Sequence, residues 1–246
     1  MTIVHVESGT NVHEIAAGIF RISVPVPPAQ MPGGFTFNQI LLVDDAPLLF
    51  HTGPKQLFPL VRAAVAHVLG DVAKLRYVSF SHFESDECGA LNEWLAAAPQ
   101  AETVCSQTAA MVSVSDFAIR PPCGLADGEE VSLGKKRVRW LDAPHLPHNW
   151  ECGYLFEATT RTLLCGDILT QPGHEGPALT ESDIVGPSIA MEKAVPSGSI
   201  AREASSRRLL EKLARTEPAT LATMHGSSFR GNGAAQLRAF ADALGV

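Results

Sequence analysis

Ser81-His82-Phe83-Glu84-Ser85-Asp86-Glu87-Cys88-Gly89-Ala90 is the stretch whose reading decides the fold. It follows the apolar run Leu75-Arg76-Tyr77-Val78-Ser79-Phe80, which reads as a buried strand. It precedes Leu91-Asn92-Glu93-Trp94-Leu95-Ala96-Ala97-Ala98, which reads as a helix. Four residues with metal-ligand chemistry, His82, Glu84, Asp86 and Glu87, therefore crowd onto one strand-to-helix loop. Residues two apart in an extended segment point the same way, so His82 and Glu84 can share one ion. Asp86 and Glu87 sit at the helix start, which favours negative charge, and Asp86 also reads as an ordinary cap. Capping does not account for four such residues within six positions behind a buried strand, so metal binding is the stronger reading.

The rest of the chain alternates strands and helices. Val4-His5-Val6, His13 to Ala16 and Ile19 to Val24 read as antiparallel strands, stopped by the Pro/Gly loop from Pro25 to Gly34. Phe35 to Val43 and Pro47 to Phe50 read as a hairpin around Asp44-Asp45-Ala46. Helical apolar spacing runs from Gln56 to Leu69 and stops at Gly70. After the ligand loop and its helix come a strand at Thr103-Val104-Cys105 and a short helix from Gln107 to Phe117. Val131-Ser132-Leu133, Val138 to Leu141, Gly153 to Glu157 and Thr162 to Cys165 read as strands. Gln171 to Gly198 reads as a long functional loop with a helical piece. An amphipathic helix from Ala201 to Arg215, a strand at Thr220 to Met224 and a helix from Ala234 to Leu244 close the chain. Strands and helices thus repeat in two halves, roughly 1–125 and 126–246. The pattern predicts an αββα sandwich of two mixed β-sheets with helices outside, forming one domain over 1–246.

Composition narrows the function classes. The 246 residues are 46% apolar, enough for a sizeable core, and carry a formal charge of −7. That balance gives no basic footprint for nucleic acid and no polybasic patch for anionic membranes. No apolar run approaches the ~20 residues of a membrane span, and Met1 to Gly18 lacks a signal-peptide pattern. Five cysteines form no CxxC pair and read mostly as buried reduced thiols, which predicts a cytoplasmic protein. Cys88 adjoins the acidic cluster and is kept as a supporting or redox-sensitive group.

The polar residues that end strands are His82, Glu84, Asp86, Glu87, His148, Asp167 and His225. Loops on one edge of a rigid sandwich are where sites gather. His82-x-Glu84-x-Asp86-Glu87-x-Gly89-Ala90 resembles the H-x-E-x-D-H-x-G-A loop of flavodiiron proteins, members of the metallo-β-lactamase superfamily. The likeness extends over Gly33-Gly34-Phe35-Thr36-Phe37-Asn38, Pro99 to Ser106, His148, Leu164-Cys165-Gly166-Asp167 and Met224-His225-Gly226. The resemblance implies that His82, Glu84 and His148 hold one metal, that Asp86 and His225 hold a second, and that Asp167 bridges the two. His148 precedes Asp167 by the family's spacing, which His145 fits less well. Position 87 is histidine in the family pattern and glutamate here; Glu87 can still offer oxygen to a metal. Position 51 is usually aspartate in the superfamily and is His51 here, a candidate support for the metal loop. His174, after Asp167, is a candidate for the pocket border.

Four carboxylates and three histidines would neutralise two divalent ions and favour iron, or manganese, over zinc. The resemblance implies a di-iron protein that binds, senses or reduces dioxygen, or nitric oxide. Flavodiiron proteins add a C-terminal flavodoxin-like domain carrying FMN, for which the chain after His225 has no room. The expectation is therefore a stand-alone oxygen-binding di-iron protein, supplied with electrons by a separate partner and forming a homodimer. The alternatives are a superfamily hydrolase using metal-bound hydroxide, against which Glu84 weighs, and a scaffold whose site has decayed.

Overall fold

The computed structural model describes residues 1–195 and 198–246. Among the described residues, fifteen strands form two sheets. The first takes β1 (Thr2–His5), β2 (Thr10–Ala16), β3 (Ile19–Val26), β4 (Phe35–Leu42), β5 (Leu48–Phe50), β6 (Tyr77–Ser79), β7 (Glu102–Ser106) and β8 (Cys123–Leu125) in sequence order. Pairing is antiparallel from β1 to β5 and parallel from β5 to β8. The second takes β9 (Glu130–Ser132), β10 (Arg137–Asp142), β11 (Gly153–Glu157), β12 (Thr162–Leu164), β13 (Leu179–Thr180), β14 (Thr220–Ala222) and β15 (Ser228–Arg230), in the order β13-β15-β14-β12-β11-β10-β9. The division between sheets falls between residues 125 and 130, where the two-halves reading places it.

Alternation across the pleat builds three apolar layers. Ile40 and Leu42 of β4, Leu48 and Phe50 of β5, Val138 and Trp140 of β10, and Leu155 and Leu164 all enter the core between the sheets. Their neighbours Leu41 and Leu49 turn outward onto α1 (Phe58–Leu69) and α3 (Leu91–Ala97). Tyr154, Phe156 and Leu163 turn outward on the other side, onto α7 (Ala204–Ala214) and α8 (Gly233–Leu244). Strands buried on both faces read as continuous apolar runs, because neither face meets water. In α1 the buried Val61, Ala64, Val65 and Leu69 make one helical stripe, and Gly70 (φ 77°) ends it. Trp94 of α3 is fully buried, and its indole N–H donates to Thr52 O at 3.2 Å. Truncating it to alanine would cost about 3–5 kcal/mol.

The ligand loop itself forms a one-turn helix, α2 (Ser85–Cys88), which the sequence reading leaves as loop. Positions 107–117 are helical but irregular: α4 (Gln107–Ala109), a wide turn Ala110–Val114, then α5 (Ser115–Phe117). The expected long loop from Gln171 to Gly198 contains β13 and α6 (Val185–Ala194), and its positions 196 and 197 lie outside the described residues. No helix among the described residues is long and apolar enough to cross a membrane.

Candidate metal centre

Parallel neighbours send their C-terminal ends to the same edge of a sheet. β5 and β6 are parallel, and so are β12 and β14. Their exits carry His51, Ser81-His82, Asp167 and His225, while the β10–β11 loop carries His148. Gly166 (φ 48°) makes the close approach between the halves workable. A Cβ there would meet Ser81 Oγ at 2.7 Å and the Tyr154 ring at 3.1 Å.

Seven side chains converge in two groups, His82, Glu84, His148 and Asp167, and Asp86, Glu87 and His225. Within each group the candidate ligand atoms lie within 4.8 Å of one another. Glu84 Oε2 is 3.1 Å from His82 Nε2 and 2.9 Å from His148 Nε2. Asp167 faces both groups, with Oδ2 3.7 Å from His82 Nε2 and Oδ1 3.2 Å from His225 Nε2. Asp86 Oδ2 is 3.4 Å from His225 Nε2, and Glu87 Oε1 is 3.8 Å from His82 Nε2. All seven residues singled out in the sequence are brought together.

The electrostatics are those of a pocket built for positive charge. Hydrogen bonds from His148 and then His82 hold the Glu84 carboxyl down at about 2. The same contact with Glu84 outweighs burial and lifts His148 to about 9. Burial works against the charged form of His225, but Asp167 and Asp86 overcome it and raise the imidazole to about 10. Burial also opposes ionisation of Asp86 and Asp167, yet His225 keeps both carboxyls below their ordinary range. Glu87 goes the other way. Burial, then the charges of Asp167 and Asp86, push it well above the ordinary glutamate range.

Glu87 is fully buried, and neither of its carboxylate oxygens has a hydrogen-bond partner. Asp167 Oδ1 is likewise unpartnered, because His225 lies close but outside hydrogen-bond geometry. Buried polar atoms are normally paired, so unpartnered carboxylate oxygens beside imidazoles are the donor chemistry that a cation takes. The donor set of nitrogen and carboxylate oxygen suits a divalent metal ion.

Outer contacts fix the imidazoles. His82 Nδ1 meets Ser81 Oγ at 2.9 Å, His148 Nδ1 donates to Ser199 O at 2.9 Å, and His225 Nδ1 donates to Thr36 O at 2.7 Å. Phe35 stacks on His225 at 4.2 Å between ring centroids, and Phe37 packs edge-on at 5.6 Å. Asn38 Nδ2 and Arg21 Nη2 each donate to Gly226 O at 3.0 Å, stitching the first sheet to the His225 turn. Glu151 Oε1 accepts the Phe83 N–H at 2.9 Å. These contacts join residues up to 205 positions apart and have no local signal in the sequence.

The supporting candidates divide. His51 is buried and reaches the site through Ser81. Cys88 is buried beneath the loop, its Sγ–H donates to Glu84 O, and burial pushes the thiol up to about 12. It is an inert packing group, which corrects the redox-sensitive expectation. Cys123 is exposed, an exception to the expected buried thiols. His145 is exposed on a left-handed turn (φ 61°) and belongs to neither group. His174 packs at Gly34 with Glu175 and also belongs to neither.

A cleft of about 330 Å³ lined by Lys55, Phe83, Ser85, Cys88 and Phe117 opens beside Glu84. A larger one, about 660 Å³, lies between β10 and α7 among arginines and holds none of the seven residues.

Solved structures share this fold. The rubredoxin oxygen:oxidoreductase of Desulfovibrio gigas superposes with a TM-score of 0.72 at 20% identity, over 95% of this chain and 60% of that one. The flavodiiron protein of Giardia intestinalis gives 0.80 at 17% identity, over 95% and 59%. A fragment (1–254) of a putative diflavin flavoprotein from Nostoc sp. PCC 7120 gives 0.78 at 19% identity, over 96% and 95%. This chain therefore spans about three fifths of the first two proteins and nearly all of the Nostoc fragment. No curated protein sequence matches it significantly. The fold is the metallo-β-lactamase fold of flavodiiron cores. The profile described as ODP family beta lactamase matches residues 35–226, more than half of the chain, and the protein belongs to that family.

Proposed function

We propose that this protein holds two iron ions and binds, senses or reduces dioxygen, or nitric oxide, with electrons from an external donor. The observation that carries the reading is the donor set: four carboxylates against three imidazoles, with Asp167 offering one oxygen to each group. His82, Glu84 and His148 would hold one ion, Asp86, Glu87 and His225 the other, and Asp167 would bridge. When bound, the irons supply the electrons and open positions for a diatomic oxidant.

The chain supplies charge, access and protons. Four carboxylates balance two divalent ions and favour their oxidised state, because added negative charge stabilises the higher-valent ion. Phe35 and Phe37 keep water from His225. Glu84, with its side chain 49% exposed, and His148, 33% exposed, form the open rim through which a small molecule reaches the pocket. The protons on His148 and His225 must leave before either imidazole can bind metal, so loading releases acid.

Protein purified without oxygen should contain about two irons per chain and change its optical spectrum on exposure to air. With an artificial reductant present, it should consume dioxygen. Two zincs, an unchanged spectrum and hydrolysis of an ester or lactam would instead establish the hydrolase. Absence of any metal, together with failure to take up iron or manganese, would leave a scaffold.

A further inference from the structure

His51 belongs to neither ligand group, yet the ligand loop leans on it. It directly follows β5, is 1% exposed, and holds a left-handed backbone (φ 66°) while its N–H donates to Ser79 O at 2.8 Å. That conformation strains a residue bearing a Cβ, so the surrounding contacts must over-determine it. His51 Nε2 lies 3.1 Å from Ser81 Oγ, and Ser81 Oγ lies 2.9 Å from His82 Nδ1. A serine hydroxyl has one proton, so it donates to one ring and accepts from the other. The three groups therefore form one directed chain. It ends on His82, whose far nitrogen faces Glu84 and Asp167.

The chain adds no charge. Burial pushes the His51 imidazole down to about 3, leaving it neutral at physiological pH. The segment carrying His51 is also tied to the segment carrying Glu87: the Thr52 N–H and hydroxyl donate to Glu87 O at 2.7 and 3.2 Å.

We propose that His51 is a positioning residue that fixes the His82 ring through Ser81. The inference rests on the dinuclear reading above, but its ring-shift readout needs no metal.

Ser81→Ala, His51→Ala and the double variant test the chain. In metal-free protein, Ser81→Ala should shift the imidazole 15N resonances of both His51 and His82, with His13 as an unmoved reference. In manganese(II) and zinc titrations, each single variant should bind about 10- to 100-fold more weakly. The double variant should lose no more than the worse single, since both break one chain. Additive losses, or unshifted rings in Ser81→Ala, would overturn the positioning role. Should His51→Ala fail to fold, the Ser81→Ala spectra and titrations decide alone.

If the parent protein bound no metal, the dinuclear reading would fail while the ring shifts still judged His51. If it bound two ions and the ring shifts were absent, the positioning role alone would fail.

Discussion

Around Glu84 the carboxylate is already met by imidazole, with His82 and His148 both within hydrogen-bond reach at an exposed rim. Around Glu87, a few ångströms further in, both carboxylate oxygens are buried and unpartnered. The first group can satisfy itself with protons alone, whereas the second stays in debt until a cation arrives. The outer site should therefore be tolerant and the inner site demanding. Asp167 faces both regimes.

That makes Asp167 the place where the contrast collapses. Asp167→Ala removes an oxygen from each group and leaves His225 buried with one fewer anion. Breaking a buried charged pair costs the metal-free fold about 3–5 kcal/mol, and losing an oxygen from each group should weaken the hold on both ions. Metal analysis should find the stoichiometry falling from two ions per chain to fewer than one. Retention of two tightly held ions would mean that the groups are independent.

Glu87→Gln sharpens the contrast by touching the inner group alone. The variant should keep one ion and lose most of the second, read by metal titration. It should also reduce the loss of metal-free stability as pH rises above the ordinary glutamate range. The sign follows from linkage: Glu87 is raised in the folded state, so its stability contribution is complete at low pH and is lost as pH climbs toward its folded value. The amide does not titrate, and that slope should disappear. An unchanged slope would place the proton elsewhere.

The imidazoles give the next smaller effect. His148 and His225 are raised to about 9 and about 10, so what they contribute to metal-free stability is present below pH ~6.5 and is lost through 9 and 10. Glu84, lowered to about 2, contributes above its ordinary range and loses that only in strong acid. Denaturant melts of metal-free protein should therefore weaken from pH 8 to 10, while the metal-loaded protein, with its imidazoles already deprotonated, should not. Parallel curves for the two forms would contradict the assignment of these histidines as ligands.

The sequence made the site more legible than its support. His82, Glu84, Asp86 and Glu87 could be found because a strand-to-helix loop packs four ligand types into six positions. The two sheets were legible because buried segments such as Ile40–Leu42 of β4 and the whole of β5 are apolar throughout. β8, β13 and β15, of two or three residues each, were not anticipated, since so short a strand exists only through its neighbours. The grip of Phe35 and Thr36 on His225 joins residues about 190 positions apart and follows from how the sheets pack. Ser81 carries no signal of its own in the sequence, because its role depends on His51, 30 positions away, lying on its other side.

The smallest expected effect concerns two histidines three residues apart, His145 and His148. Spacing to Asp167 separates them only weakly, but the β10–β11 loop separates them completely. His148 is held between Ser199 O and Glu84, whereas His145 is exposed, with its backbone N–H given to Asn149 O. The His145 side chain thus touches neither the metal pocket nor the core. His145→Ala should change stability by less than about 0.5 kcal/mol and leave the metal stoichiometry intact. His148→Ala should empty the outer site first, because Glu84 would keep only His82. A metal loss in His145→Ala equal to that in His148→Ala would mean that the loop can present either imidazole. The outer site would then be defined by a mobile ligand rather than by its rim.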